Sequence, residues 1–441
     1  MAETPSSSTM STGRQRIAEL AKQAPLMSFT NLAQYITFYT LLVAYYRTRK
    51  DGAVGVDGQT AEEYAENLDE NLQDLLTRAK SGTYRAPPVL RAHIPKGTGT
   101  ETRPIGIPTF EDKVLQRAVA MTLEAVYEQD FHDCSYGFRP KRSAHQAIEA
   151  FWQQMMAMKG GWVVEVDIRK FFDTLDHAWL RELLQRRIRD GVLLRLIGKW
   201  LNAGVLEGDV LTIPEEGTPQ GGVISPLLAN VYLHYVLDEW FEREVKPRLK
   251  GQAFLIRYAD DFVIGFVRED DARRVLEVLP KRFGKYGLTL HPDKTQLVSF
   301  QRPSQQSSTG NGETQSGSFD LLGFTHYWGR SRRGSWVIQR KTSTSRFSRA
   351  VKKIADWCRK NRHEPVAEQH HKLSQKLRGH DAYFGITGNG RMLQKLRHVV
   401  TAVWRKWLAR RRAGPLSWDR FTRVLERYPL PRARVVHSVY A

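Results

Sequence analysis

The sequence predicts an α+β fold in which short apolar strands, two of them forming an acidic hairpin, are set among helices and followed by a basic helical region. Three observations predict it. Residues 254–266 read as two apolar strands joined at Ala259, Asp260 and Asp261, and residues 162–166 (WVVEV) form another short β-rich run. Residues 111–129, 225–240 and 272–286 instead place apolar side chains at three- and four-residue steps, the helical period. After Asp320 the charge changes, with no acid from 321 to 355 or from 382 to 418.

The chain has 441 residues, room for two or three domains, and 41% of them are hydrophobic. Lys and Arg number 67 against 47 Asp and Glu, a formal net charge of +20. Self-repulsion on that scale opposes compaction, and the usual reason to carry it is a polyanionic partner, above all nucleic acid. An anionic membrane surface would call for a basic amphipathic anchor or a lipid motif, and neither is seen. Cys134 and Cys358 lie far apart without metal-ligand spacing, so neither a cysteine zinc site nor a disulfide framework is expected. The start is polar and rich in Ser and Thr, unlike a signal peptide, and the longest apolar stretch, 36–46, is too short to span a bilayer. The expectation is a cytoplasmic protein associated with nucleic acid and with no membrane partner.

Taken in order, residues 1–25 read as a disordered or loosely held arm. Residues 29–50 read as one amphipathic helix, with Leu32, Tyr35, Ile36, Tyr39 and Leu42 at helical steps and Arg47, Arg49 and Lys50 at its end. Residues 1–50 thus form an N-terminal arm and extension helix, which either touches bound nucleic acid or packs on its neighbours. Gly52, Gly55 and Gly58 punctuate a loop, and an acidic helical stretch covers 62–74. Residues 84–108 are strand-rich, with turn signals at Pro87, Pro88, Gly97, Gly99 and Pro104. A polar low-complexity loop occupies 303–318, and a domain boundary falls near 300–340. Beyond it Arg391, Lys395, Arg397, Arg405, Lys406, Arg410, Arg411 and Arg412 interleave with Leu396, Val399, Trp404 and Trp407 at helical spacing. The cations are expected to follow a nucleic-acid backbone, and Trp404 and Trp407 to pack inside.

Three acids stand out by context. Asp167 ends an apolar strand, and Asp260 and Asp261 lie in the turn of an apolar hairpin. A carboxylate in such a place is costly unless something pairs with it. Two magnesium ions, roughly 4 Å apart and held by carboxylate oxygens, would pair these and suit phosphoryl transfer. Neighbouring strand side chains point to opposite faces, so Asp260 is expected to share the metal directly with Asp167, with Asp261 to one side. Taken alone, an Asp-Asp pair is equally an ordinary exposed hairpin turn.

Eight segments then follow one another in a recognisable order: GVDG (55–58), IPKGTGTETRPIGIPT (94–109), YGFRPKRSAHQAI (136–148), VDIRKFFDTLDH (166–177), GTPQGGVISPLLANVYLH (217–234), RYADDF (257–262), GLTLHPDKT (287–295) and LLGF (321–324). With them the sequence resembles the reverse transcriptases encoded by bacterial group II introns, the intron maturases. The resemblance implies a right-hand polymerase with fingers, an antiparallel-sheet palm and a helical thumb. It implies fingers and palm over 51–320, a thumb or maturase (X) domain over 321–412, and a tail over 413–441 that could bind DNA. It makes Asp167, Asp260 and Asp261 the ligands of two Mg2+ ions, with the backbone carbonyl of Ile168 as a further ligand. Phe172 becomes the ring beneath the incoming sugar, where bulk excludes a 2′-hydroxyl. Of the adjacent Phe171 and Phe172, at least one belongs to the core. Lys96 and Arg103 become the cations gripping the triphosphate, although either could be an ordinary surface charge. Gln220 packs on nucleotide and template, beside glycines that let backbone approach nucleic acid, and Lys294 lies near the leaving pyrophosphate. KLRGHDAYFG (376–385) resembles the thumb's third-helix motif, with His380 where Trp is usual. No H-N-H module with paired zinc cysteines is seen.

The implied activity is RNA-directed DNA synthesis from dNTPs onto a primer, with intron RNA, RNA template and DNA primer or target as partners, joined to a maturase role in splicing and mobility. Two other readings stay open: a maturase that acts mainly as an RNA-binding protein, and a domesticated stand-alone reverse transcriptase in defence or repair.

Overall fold

Helices and short strands alternate through the first three quarters of the chain, and a helical bundle closes it. A computed structural model describes residues 7–95, 102–208, 210–212, 216–217, 221–303, 316–411 and 416–438, with residues 7–12 described by backbone alone. Lys96, Gln220, Arg412 and most of the polar loop near 303–318 lie outside the described residues. In chain order the elements are α1 (Ser7–Gln23), α2 (Phe38–Arg47), α3 (Ala61–Ala65), α4 (Leu68–Ser81), β1 (Val89–Pro95), β2 (Thr102–Ile107), α5 (Phe110–Asp130), α6 (Ala144–Ala157), β3 (Gly160–Val166), α7 (His177–Gln185), α8 (Gly191–Leu201), β4 (Val205–Glu207), β5 (Val210–Thr212), α9 (Ser225–Leu233), β6 (Ala253–Tyr258), β7 (Asp261–Phe266), α10 (Glu269–Lys285), β8 (Gln296–Gln301), β9 (Phe319–Leu321), β10 (Phe324–Arg330), β11 (Trp336–Thr342), α11 (Thr344–Lys360), α12 (Val366–Phe384), α13 (Gly390–Ala409) and α14 (Trp418–Arg427). The α+β class expected from the sequence is the class observed.

Two compact units divide the described residues: the first holds those up to 147 together with 164–297, and the second holds 148–163 and everything from 298 onward. α5 is the axis of the first. Thr109 caps it by accepting the Asp112 N–H, and its buried residues include Val114, Leu115, Ala118, Val119, Leu123, Val126 and Tyr127. A helix apolar around most of its circumference belongs in a core. α1 lies against it and buries Ile17 and Ala21, so residues 7–23 are helix, which corrects the expectation of a loose arm. The anchor is remote in sequence. Arg187, 3% exposed, donates to the carbonyls of Ala21, Ala24 and Met27 and pairs with Asp130 at 2.8 Å. It thereby satisfies carbonyls at the end of α1.

The single helix expected over 29–50 is also corrected. Ile36 is extended (ψ 96°), and Thr37 starts a new helix by accepting the Thr40 N–H. Leu32 and Ile36 are buried before α2 begins, and within α2 the buried stripe is Leu41, Ala44 and Tyr45. β1 and β2 pair antiparallel with Ile94 opposite Arg103, in a sheet ordered β2-β1-β4-β5. A second sheet is ordered β6-β7-β3-β8.

In the second unit a sheet ordered β11-β10-β9 forms where helix was expected after residue 320. β10 alternates strictly, burying Phe324, His326 and Trp328, the two-residue period of a half-buried strand. Phe151 of α6 meets the rings of Phe319 and His326 at 5.1 and 5.2 Å, which is why residues 148–163 join this unit. α11 to α14 share one core of Ile354, Leu373, Leu377, Leu396, Val400, Trp404, Leu408 and Phe421. Trp404 is fully buried, donating its Nε1–H to Gln369 at 3.0 Å, and Trp407 packs partly buried against the same core. The segment expected as a separate tail thus contributes α14 to the bundle. Three of the cations expected on nucleic acid are used internally, Arg411 among them through a 3.0 Å bond to the Glu364 carbonyl. Arg397 binds Asp381 and the carbonyls of Pro431 and Arg432, and Arg405 donates to Leu416 O and lies over Trp418.

Phe421 packs edge-on to Trp404 at 5.6 Å and is fully buried. Phe421→Ala should cost about 3–5 kcal/mol in the second unit. Urea unfolding followed by tryptophan fluorescence reads this, and a loss under about 1 kcal/mol would show that α14 is not part of that core.

Candidate active site

β6 and β7 pair from Ala253↔Phe266 to Tyr258↔Asp261, so a two-residue turn of Ala259 and Asp260 joins them. Asp261 is therefore not a turn residue. It opens β7 and is exposed, while Asp260 is half-buried. Ala259 sits at φ +58°, at the first turn position, which hairpins of this length ordinarily give to glycine. Both strands are buried along nearly their whole length, so the hairpin reads as continuous apolar sequence rather than as alternation.

The exception inside β6 is Arg257, with 0% exposure. Its guanidinium binds both oxygens of Asp238 at 2.8 and 2.5 Å, Asn230 Oδ1 at 2.9 Å, Ser135 Oγ at 2.8 Å and the Ala259 carbonyl at 3.1 Å. A buried cation persists only when its donors are matched in this way. One side chain thus fastens the acidic turn to the helical segment 230–238 and to the loop before α6. Asn230 also donates to Gly137 O at 2.8 Å, so that loop is held twice. None of these residues was picked out from sequence. The available signal was a lone arginine inside the run FLIRY.

Asp167 follows β3. The His291 N–H donates to Asp167 O, and the Arg169 N–H donates to Thr289 O, both at 2.8 Å, around the antiparallel bridge Ile168↔Leu290. These bonds use the neighbours of Ile168, so its own carbonyl is turned to the opposite edge. The strand adjoining β3 on that edge is β7. Asp167 and Asp260, separated by more than ninety residues, lie close enough to feel each other's charge. Burial pushes the Asp260 carboxyl above the usual aspartate range, and Asp167 adds to the rise. Its own backbone N–H, Arg103 and Arg257 oppose it. Arg103 reaches this site from β2, and Lys294 places Nζ 2.7 Å from Asp167 Oδ2. Four of the residues singled out from sequence, Asp167, Asp260, Arg103 and Lys294, therefore converge.

Phe171 and Phe172 begin a 3₁₀ turn, Phe171–Asp173. Phe171 is the core member (2% exposed), and it meets Phe172 edge-on at 5.3 Å. Gly217 has φ +89°, and a Cβ there would lie 2.8 Å from the carbonyls of Phe172 and Asp173. At Gly221 a Cβ would lie 2.4 Å from Gly106 O on β2. The tight approach at Gly221 is thus made to the protein's own backbone on β2.

A Cβ on Gly137 would fall 2.3 Å from the Ala259 nitrogen. Gly137→Ala must displace the acidic turn or its own loop, at a cost of about 1–3 kcal/mol. Arg257→Met leaves Asp238 buried and unpaired and should cost roughly 3–5 kcal/mol. Chemical denaturation of parent and variants checks both, and parent-like midpoints would contradict the packing described.

Residues 94–326 match the family described as reverse transcriptase (RNA-dependent DNA polymerase), and residues 347–425 match the group II intron maturase-specific domain. The chain is similar to the group II intron-encoded protein LtrA of Lactococcus lactis subsp. cremoris, at 37% identity over 246 residues, 53% of this chain and 40% of that protein. It is similar to Protein YkfC of Escherichia coli at 36% over 280 residues, 55% of this chain and 71% of that one. It is also similar to nuclear intron maturase 2, mitochondrial, of Arabidopsis thaliana, at 27% over 177 residues, 31% and 24% of the two chains. The chain thus spans about 40% of the length of LtrA. Reverse transcriptases generally depend on magnesium. With the polymerase match covering more than half of its length and the maturase domain following in order, the chain belongs to the reverse transcriptases of bacterial group II introns.

Proposed function

We propose that the chain extends a primer 3′ end with deoxynucleotides on an RNA template and serves as maturase to a group II intron RNA, acting in the cytoplasm. The observation that carries this reading is the convergence of Asp167, Asp260, Arg103 and Lys294 from four separate segments. An RNA-binding protein has no need to hold two mutually repelling carboxylates beside a buried cation. Among the described residues no helix is long and apolar enough to cross a membrane.

The donors fit magnesium, because every one is an oxygen: Asp167, Asp260, Asp261 and the carbonyl of Ile168. The ammonium of Lys294 on Asp167 stands in for positive charge at this place. We assign two Mg2+ ions to these four residues. When bound, such a pair activates the primer hydroxyl and neutralises charge on the departing oxygen. Arg103, with Lys96, grips the triphosphate through charge-assisted hydrogen bonds. Lys294, which lies on Asp167 at 2.7 Å, would supply positive charge near the departing pyrophosphate. Phe172, braced by Phe171, blocks a 2′-hydroxyl, and Gln220 lies against nucleotide and template. The exposed cations Arg391, Lys395 and Lys406 of α13, with Arg410 just after it, follow the duplex backbone.

Primer extension on an RNA template, with deoxynucleotides and ribonucleotides compared, tests this. Asp260→Asn should abolish extension while RNA affinity stays within about twofold, and Phe172→Ala should admit ribonucleotides. Undiminished synthesis by Asp260→Asn would remove the assignment. Protons also compete with magnesium for Asp260, whose carboxyl titrates above the usual range. The magnesium needed for half-maximal extension should therefore rise as pH falls. A requirement independent of pH would contradict this.

A further inference from the structure

A second set of ligating side chains lies in the first unit, outside the carboxylate site. His132 follows α5, and His234 and Glu239 bracket a π-helical turn, His234–Asp238, that continues α9. His132 Nε2 is 2.8 Å from Glu239 Oε1, and His234 Nε2 is 3.9 Å from that same oxygen. One ligand atom from each residue lies within 4.8 Å of the other two, the single such group of three found among the described residues. A tetrahedral ion with bonds of about 2.0–2.1 Å needs its ligand atoms about 3.3 Å apart. Side-chain shifts of about an ångström therefore close the set.

The π turn makes this possible. In an α-helix, residues five apart stand on different faces. Here the Glu239 N–H donates to His234 O, and the wider i→i+5 turn stacks Glu239 on His234. His234 is 2% exposed, and its Nδ1 has no hydrogen-bond partner. Burial, then His132, Arg257, Arg243 and Arg139, hold its ring well below the usual histidine range. The cations do not leave the place uniformly positive. Arg139 is paired with Glu128, and Arg257 with Asp238. Arg243 is paired with the other Glu239 oxygen at 2.9 Å, which orients the carboxylate.

We propose that His132, His234 and Glu239 bind one zinc-class divalent ion, with a fourth position left to water. Two imidazoles and one carboxylate suit zinc or cobalt, whereas magnesium prefers the all-oxygen site. Binding would replace the His132–Glu239 hydrogen bond and release its proton to solvent. Occupancy would tie His132 to the 234–239 turn. Asp238 of that turn holds Arg257, and Ser135, three residues after His132, binds it too. The ion thus stiffens the frame that carries the acidic turn.

The test uses the full chain carrying Asp260→Asn, which weakens metal binding at the carboxylates, stripped with a chelator and titrated with cobalt chloride, then zinc chloride. Expected are one cobalt ion per chain with the visible absorption of tetrahedral ligation, its displacement by zinc, and a higher Tm with zinc. His132→Gln, half-exposed and least disruptive, should weaken zinc at least about 100-fold while its metal-free unfolding matches the parent. Glu239→Gln is the second variant and should do the same. Cobalt spectra and zinc affinity equal in parent and both variants would overturn the site, as would a parent that binds no cobalt.

Discussion

The paired charges of Arg257 and Asp238, sealed from solvent, are the constraint on which the acidic turn depends. Removing two ions from water costs several kcal/mol each, and their attraction offsets this only with near-ideal geometry and every remaining donor matched. Both conditions hold here, since the guanidinium meets a bidentate carboxylate, an amide oxygen, a hydroxyl and a backbone carbonyl. Such a pair is weak evidence for stability but strong evidence for position. A slip of the β6–β7 register by one residue would turn Arg257 out of its cage and bury an unmatched Asp238. The register that satisfies Arg257 is the one that presents Asp260 toward Asp167.

Close backbone approach supplies the second constraint. Gly137 lies against the Ala259 turn, Gly217 against the carbonyls of the Phe172 turn, and Gly221 against β2. These three contacts hold a helix-flanking loop against the acidic turn, the segment at Gly217 against a 3₁₀ turn, and the segment at Gly221 against β2. Only residues without Cβ permit the approach, and at Gly217 and Gly221 the positive φ demands glycine as well. The Asp260 carboxyl, raised by burial and by Asp167, shows the opposing force. The site holds like charges together that would separate if the surrounding frame were loose, and that is the electrostatic condition under which divalent cations bind.

How much of this the sequence discloses follows from the range of each interaction. The hairpin 254–266, helix α5 and the acidic cluster were legible, because strand and helix periods are local and a polar pair inside an apolar run is conspicuous. The anchor of α1 was not, because Arg187 reaches carbonyls some 160 residues away. Nor was the start of α2, where a cap at Thr37 interrupts a stripe whose three- and four-residue spacing reads as unbroken helix. The two-residue alternation of β10 is local too, but it lies within a basic stretch whose charge pattern is that of the helices after it. Arg257 was hidden by its surroundings. A buried arginine and a surface arginine are the same letter until the partners are known.

The same ambiguity decides how the net charge of +20 should be read. A basic stretch invites the view that every cation in it meets phosphate. In α13 the side chains divide into two populations. Arg397 and Arg405 are committed to Asp381, to backbone carbonyls and to the face of Trp418, so they work as core cement and their loss would act on folding. Arg391, Lys395 and Lys406, with Arg410 just after them, are exposed on the far side of a helix whose other face is Leu393, Leu396, Val400 and Trp404. Only the second population can release counterions from a nucleic acid. The electrostatic reach of the maturase domain is therefore set by fewer charges than its composition suggests, arranged in a stripe that the buried Trp404 holds rigid from beneath.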